Sequence, residues 1–221
     1  MCFSAAASFT AAAVLAGVGA AALAQRPRPR DAMFAAIPMI FAAHQAIEGF
    51  IWLALDEGRA APGGLVVAYL LIAQVLWPVY IPLCVIVMER RRRPALWLLL
   101  AAGLFVSGAL ASVLIQHHYT VQAIADGLRY STDHQFETRL LGLYLVAVTA
   151  PLFLSRFRYV VAFGAATLLG SAVTVVGFYN ASASIWCFFA GVASILVFFH
   201  VRAQKLRGAV IEKSSTDIAA A

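Results

Sequence analysis

Seven stretches of the chain, 3–24, 33–55, 64–88, 95–115, 139–155, 160–179 and 183–201, are apolar almost from end to end. Crossing a hydrocarbon layer about 30 Å thick takes about 20 apolar residues in a helix, because only a helix pairs its own backbone polar groups where water is absent. The fifth stretch is short, and only Asn180 to Ser182 separates the last two. The breaks are abrupt: Arg26-Pro27-Arg28-Pro29-Arg30 and Glu89-Arg90-Arg91-Arg92-Arg93-Pro94 join charge to proline, which ends helices. With 63% of residues hydrophobic and 12% charged, a disordered chain, a coiled coil and almost any water-soluble domain are excluded. The expected fold is all-α: an integral membrane bundle of seven transmembrane helices over residues 1–205, followed by a flexible cytoplasmic tail over 206–221.

Basic residues set the orientation. Alternating loops place Arg26, Arg28, Arg30, Arg90 to Arg93, Arg156, Arg158, Arg202, Lys205, Arg207 and Lys213 on one side, 13 in all, against Arg59, Arg129 and Arg139 on the other, which is 3. The positive-inside rule makes the first side cytoplasmic, with the N-terminus outside, and the expected location is a bacterial inner membrane. The net charge of +6 is then a topology signal and an attraction to anionic membrane lipids, not a sign of nucleic acid. Ala21-Ala22-Leu23-Ala24 resembles a signal cleavage site, but nothing basic precedes the apolar run and three arginines follow it, so the first span is expected to remain. Three cysteines give no disulfide framework and no CxxC motif. Cys2 and Cys187 fall near the outer ends of their spans, where a bond between them is open.

An ionisable group at membrane depth costs at least ~2.5 kcal/mol, so the few polar residues inside the spans are where function is sought first. His44 and Glu48, four apart, share a helical face, can hydrogen-bond directly and can pass a proton while neutral as a pair. On the next span Gln74 and Trp77 share a face, and Pro78 frees the carbonyl of Gln74. Ser4 and Ser8 come from the first span and Ser184, Trp186 and Cys187 from the last. The expected site is a cavity in the outer half of the bundle, lined by His44, Glu48, Gln74, Ser4, Ser8 and Cys187 and walled by Trp52, Trp77 and Trp186. Structural roles compete with this: interhelical hydrogen bonds for the polar residues and interfacial anchoring for the tryptophans.

Over the cavity lies an outer loop, about 116–138, in which Val121, Ile124, Ala125 and Leu128 follow helical spacing and predict a short amphipathic surface helix, able to act as a lid. His117 and His118 could reach a metal together with Cys2 or Cys187, although neither HxxxH nor HxH occurs in the chain. His200, beside Arg202, reads as a snorkelling residue at the end of its helix.

Met1-Cys2-Phe3-Ser4-Ala5, Glu48-Gly49 with Trp52, Ala73-Gln74 with Trp77-Pro78, and Ile185-Trp186-Cys187-Phe188-Phe189-Ala190 together resemble a family of small bacterial multi-pass membrane proteins known as a domain of unknown function. The resemblance covers nearly the whole chain. It implies an integral membrane fold of this length and carries no activity, cofactor or ligand with it. Retinal proteins are excluded, since Lys205 and Lys213 lie outside the spans. Sugar carriers of the 3+1+3 type and alkaline ceramidases fit poorly, their Pro-Gln and HxxxH motifs being absent.

Two functions of different class follow, with no cofactor identified for either. In the first, a small apolar or amphipathic molecule is bound or transported from the outer side, coupled to protons through His44 and Glu48. In the second, a metal-dependent membrane hydrolase or redox enzyme uses His117, His118, Cys2 and Cys187 at the outer rim. A non-catalytic scaffold subunit is the third alternative.

Overall fold

The computed structural model describes residues 4–89, 93–132, 138–177 and 182–219. The chain is largely helical. Helix α1 (Ala5–Ala24) is followed by a 3-10 turn (Pro29–Asp31) and α2 (Ala32–Asp56). Helices α3 (Gly63–Leu70) and α4 (Trp77–Met88) are joined through a π turn (Leu71–Leu76) into one continuous rod. Helix α5 (Pro94–Gln116) leads into strands β1 (Tyr119–Ile124) and β2 (Gly127–Thr132), and α6 (Thr138–Phe153), α7 (Arg158–Gly177), α8 (Ser182–Ala193) and α9 (Ile195–Ala219) complete the chain. Residues 206–219, read from sequence as a tail, continue the helical backbone.

Among the described residues, 6 helical segments are long and apolar enough to cross a membrane, and Arg139–Phe153 is a shorter apolar helix. The 16 residues of α6 reach about 24 Å at 1.5 Å per residue, short of a full hydrocarbon layer. The bundle surface is apolar too: on α5, Leu98, Phe105 and Ile115 are 72%, 66% and 84% exposed. In water such a surface would be a liability, whereas against acyl chains it is the expected exterior.

Not everything is helical. The helix expected at 121–128 is an antiparallel hairpin, with Ile124 opposite Gly127 and Tyr119 opposite Thr132. Ala125-Asp126 makes the turn and Gly127, at φ 141, opens β2 just after it, while Tyr119, Val121, Ile124 and Tyr130 are residues that strands favour. The helical spacing of the four apolar residues is a coincidence of their positions on a strand pair. Leu128 is fully buried, and the hairpin packs against α2, α3 and α8, closing one end of the bundle.

Two helix irregularities hold the centre together. In the π register of Leu71–Leu76 the amide of residue 78 would serve the carbonyl of Ala73, and Pro78 has no amide proton. The Tyr144 hydroxyl on α6 donates to that carbonyl at 2.6 Å, so the acceptor used is Ala73, one residue before the expected Gln74. Nearby, Ser107 on α5 donates to the carbonyl of Val75 at 2.6 Å. Tyr144→Phe leaves a buried carbonyl unpaired at full packing, and should lower stability by about 1–2 kcal/mol in detergent unfolding experiments. An unshifted midpoint would mean that this carbonyl finds another donor.

Candidate functional site

At the hairpin end of the bundle, α2 presents His44, Gln45 and Glu48, all fully buried. Their apolar neighbours on the same helix, Phe41, Ile51 and Trp52, are buried with them, so this face of α2 turns inward. Glu48 is met by donors from three elements. Ser184 on α8 donates to Oε1 at 2.5 Å, Gln45 on α2 itself donates to Oε2 at 3.2 Å, and the Tyr69 hydroxyl on α3 reaches Oε1 at 3.5 Å. Each of these donors is neutral. Hydrogen bonds to an ionised carboxylate stabilise the charge, and the same groups can accept from it once it is protonated, except for the amide N–H of Gln45.

His44 and Glu48 do not bond to each other, although they share a face. The His44 ring stacks on Tyr69 with centroids 4.0 Å apart, and its Nε2 donates to the Tyr69 backbone carbonyl at 3.2 Å. A carbonyl only accepts, so Nε2 carries the proton and Nδ1 keeps a buried lone pair with no hydrogen-bond partner. Tyr69 therefore stands between the two groups, its carbonyl on His44 and its hydroxyl toward Glu48. Its ring also stacks on Tyr130 of β2, centroids 4.5 Å apart and planes 7° apart, which makes a ladder from α2 through α3 to the hairpin. On the hairpin, burial raises the Tyr119 phenol above its ordinary pKa.

The remaining expected residues have other placements. Ser4 is the N-cap of α1, its Oγ accepting from the amide of Ala7 at 3.2 Å. Ser8 is fully buried and its hydroxyl has no hydrogen-bond partner, and Gln74 is half-buried with its Oε1 unpaired. Trp77 stacks on Phe41 at 4.5 Å, and the Trp186 indole donates to Ser171 on α7 at 2.5 Å. Cys187 is fully buried. The void that Trp77 and Trp186 help to line also involves Phe41, Phe163 and Thr167 but not Glu48. Glu48 thus sits in a packed polar knot of side chains.

Among the described residues no three of His, Cys, Asp or Glu converge, and of the two histidines expected at a metal His118 is exposed and His117 is half-buried at the end of α5. Cys2 and His134, and with them the expected Cys2–Cys187 contact, lie outside the described residues.

Sequence reasoning passes over Tyr69 and Tyr130, and treats Gln45 and Ser184 only as polar residues of their spans. A tyrosine inside an apolar span is the signal available for Tyr69, since a buried hydroxyl usually finds a partner. His200 does not snorkel: it is fully buried, 3.6 Å from the carboxylate of buried Asp31 at the opposite end of the bundle.

A family model with the description "Family of unknown function (DUF6629)" matches residues 1–211. No curated protein and no solved structure matches the chain.

Proposed function

We propose, for a chain that belongs to the DUF6629 family and takes no activity from it, a bacterial inner-membrane protein that binds or transports a small apolar or amphipathic molecule in a proton-linked way. The six long helices and α6 are its seven spans in this proposal, with the hairpin outside and the arginine-rich loops in the cytoplasm. The 13 to 3 division of basic residues supports that orientation. The shortness of α6 is accommodated because Arg139 and the Arg156 to Arg158 loop bracket it with side chains that reach the interfaces.

One observation carries the proposal: a fully buried carboxyl group, Glu48, held by a hydroxyl, an amide and a phenol. An intramembrane carboxyl is costly, and glutamine would serve helix packing equally well. What only the acid supplies is a proton that can be bound and released. The Tyr69–Tyr130 ladder then connects hairpin movement to the donors of Glu48, so that a molecule entering beneath the hairpin disturbs the carboxyl group directly.

Native mass spectrometry of detergent-purified protein tests this. A co-purified small molecule is expected on the wild-type chain and absent from Glu48→Gln, with both proteins remaining folded. Equal occupancy in the two proteins would defeat the assignment of Glu48 to binding.

A further inference from the structure

We propose that Asp31 and His200 form a second proton-binding site at the cytoplasmic end, separated from Glu48 by a dry aromatic layer. The inference rests on the proton-linked reading of Glu48 above and gives it an exit.

Asp31 is 1% exposed and His200 is fully buried, although they come from opposite ends of the sequence. His200 Nε2 lies 3.6 Å from Asp31 Oδ1, while Arg28 donates from Nε to Oδ2 at 2.5 Å. Asp31 Oδ1 and both ring nitrogens of His200 have no hydrogen-bond partner. Two ionisable groups thus face each other out of water, and their charges depend on one another for compensation. The edges of Phe34 and Phe157 meet the His200 ring at 5.4 and 5.0 Å, so a carboxylate and two apolar rings face it, with Arg28 one step beyond. A proton on His200 Nε2 can pass to Asp31 Oδ1, converting an ion pair to a neutral pair, and Arg28 holds Oδ2 in both states.

Between the two sites, Phe41, Trp77, Phe163 and Trp186 surround a void of about 10 Å³. That is about the room one water needs, but walls of apolar atoms keep such a space dry. The layer is linked to both sites, along α8 on one side and through ring contacts on the other. Trp186 is two residues from Ser184, the donor to Glu48, while Phe163 meets Phe34, which meets His200. Along α2, Phe41 lies about 15 Å from Asp31 and about 10 Å from Glu48 at 1.5 Å per residue. The Trp77 indole N–H has no hydrogen-bond partner.

The test is proton flux into pyranine-loaded vesicles of phosphatidylethanolamine and phosphatidylglycerol under a valinomycin potential. Trp77→Gln both enlarges the void and gives it polar atoms to hold water, and flux should rise roughly tenfold over wild type. Adding Asp31→Asn, His200→Gln or Glu48→Gln to that background should return it to the wild-type level. Flux lost with Glu48→Gln but kept with both inner substitutions overturns the inner site and leaves the Glu48 reading standing. The converse pattern overturns the link between the sites and the Glu48 reading with it. Flux that survives all three overturns both. Phe41→Asn repeats the experiment where Trp77→Gln does not fold, and a folded, silent variant at either position overturns the layer.

Discussion

Gly103→Ala is expected to leave little folded protein. A Cβ placed on Gly103 would lie 1.8 Å from the carbonyl oxygen of Pro78 and 2.7 Å from its carbon. Both obstacles are backbone, so no rotamer change relieves them. Prolines at 78 and 82 explain why α4 has no slack here: Pro82 has no amide to occupy the Pro78 carbonyl, which instead faces the Cα of Gly103 on α5. Overpacking a core costs about 1–3 kcal/mol, and a collision between two backbones belongs at or beyond the top of that range. Gly108 on the same helix is the control, because a Cβ there meets nothing within 4 Å. Gly108→Ala should be neutral or gain up to about 1 kcal/mol from helix propensity. Yield and retention on size-exclusion chromatography, followed by thermal unfolding, separate the two. Equal behaviour of the pair would mean that α4 and α5 do not approach as closely as described.

The second large effect is the divergence of two substitutions at one position. Glu48→Ala removes the acceptor from Ser184, Gln45 and Tyr69 together and leaves a cavity, so it should cost about 3 kcal/mol or more. Glu48→Gln keeps the volume and one acceptor oxygen for Ser184, and Gln45 can turn its amide to present an oxygen to the new N–H. Its cost in stability should be about 1 kcal/mol or less. Binding should nonetheless be lost in both, because neither residue can ionise by giving up a proton. A scaffold would behave differently: Glu48→Gln would change thermal stability and nothing else. The decisive comparison is thermal unfolding and ligand occupancy measured on the same preparations of both variants.

The helices themselves are legible in the amino-acid sequence. Expected segments at 64–88, 95–115 and 160–179 meet observed helical segments at Gly63–Met88, Pro94–Gln116 and Arg158–Gly177. Apolar length and proline-bounded charge are local quantities, fixed by hydrocarbon thickness and by backbone chemistry, so one sequence suffices to read them. The hairpin is legible in principle, but the turn at Ala125-Asp126 with Gly127 behind it competes with a misleading helical spacing, and in the fold turn chemistry prevails.

For the site, His44 and Glu48 stand out in the sequence because charge inside an apolar run is conspicuous anywhere. Nothing in the sequence places Tyr69 between them, brings Ser184 to Glu48 across 136 residues, or turns His200 inward onto Asp31. Those are consequences of how each helix is rotated about its axis and which neighbour it meets. Periodicity reports the faces of a single helix, and a helix that is apolar nearly all round, as these are, leaves its inward face undeclared. Sequence alone therefore determined where the apolar rods lie along the chain and where each ends. Tertiary packing alone decided which polar atoms they enclose, because in a membrane that choice is made by close contact between helices and not by the hydrophobicity all of them share.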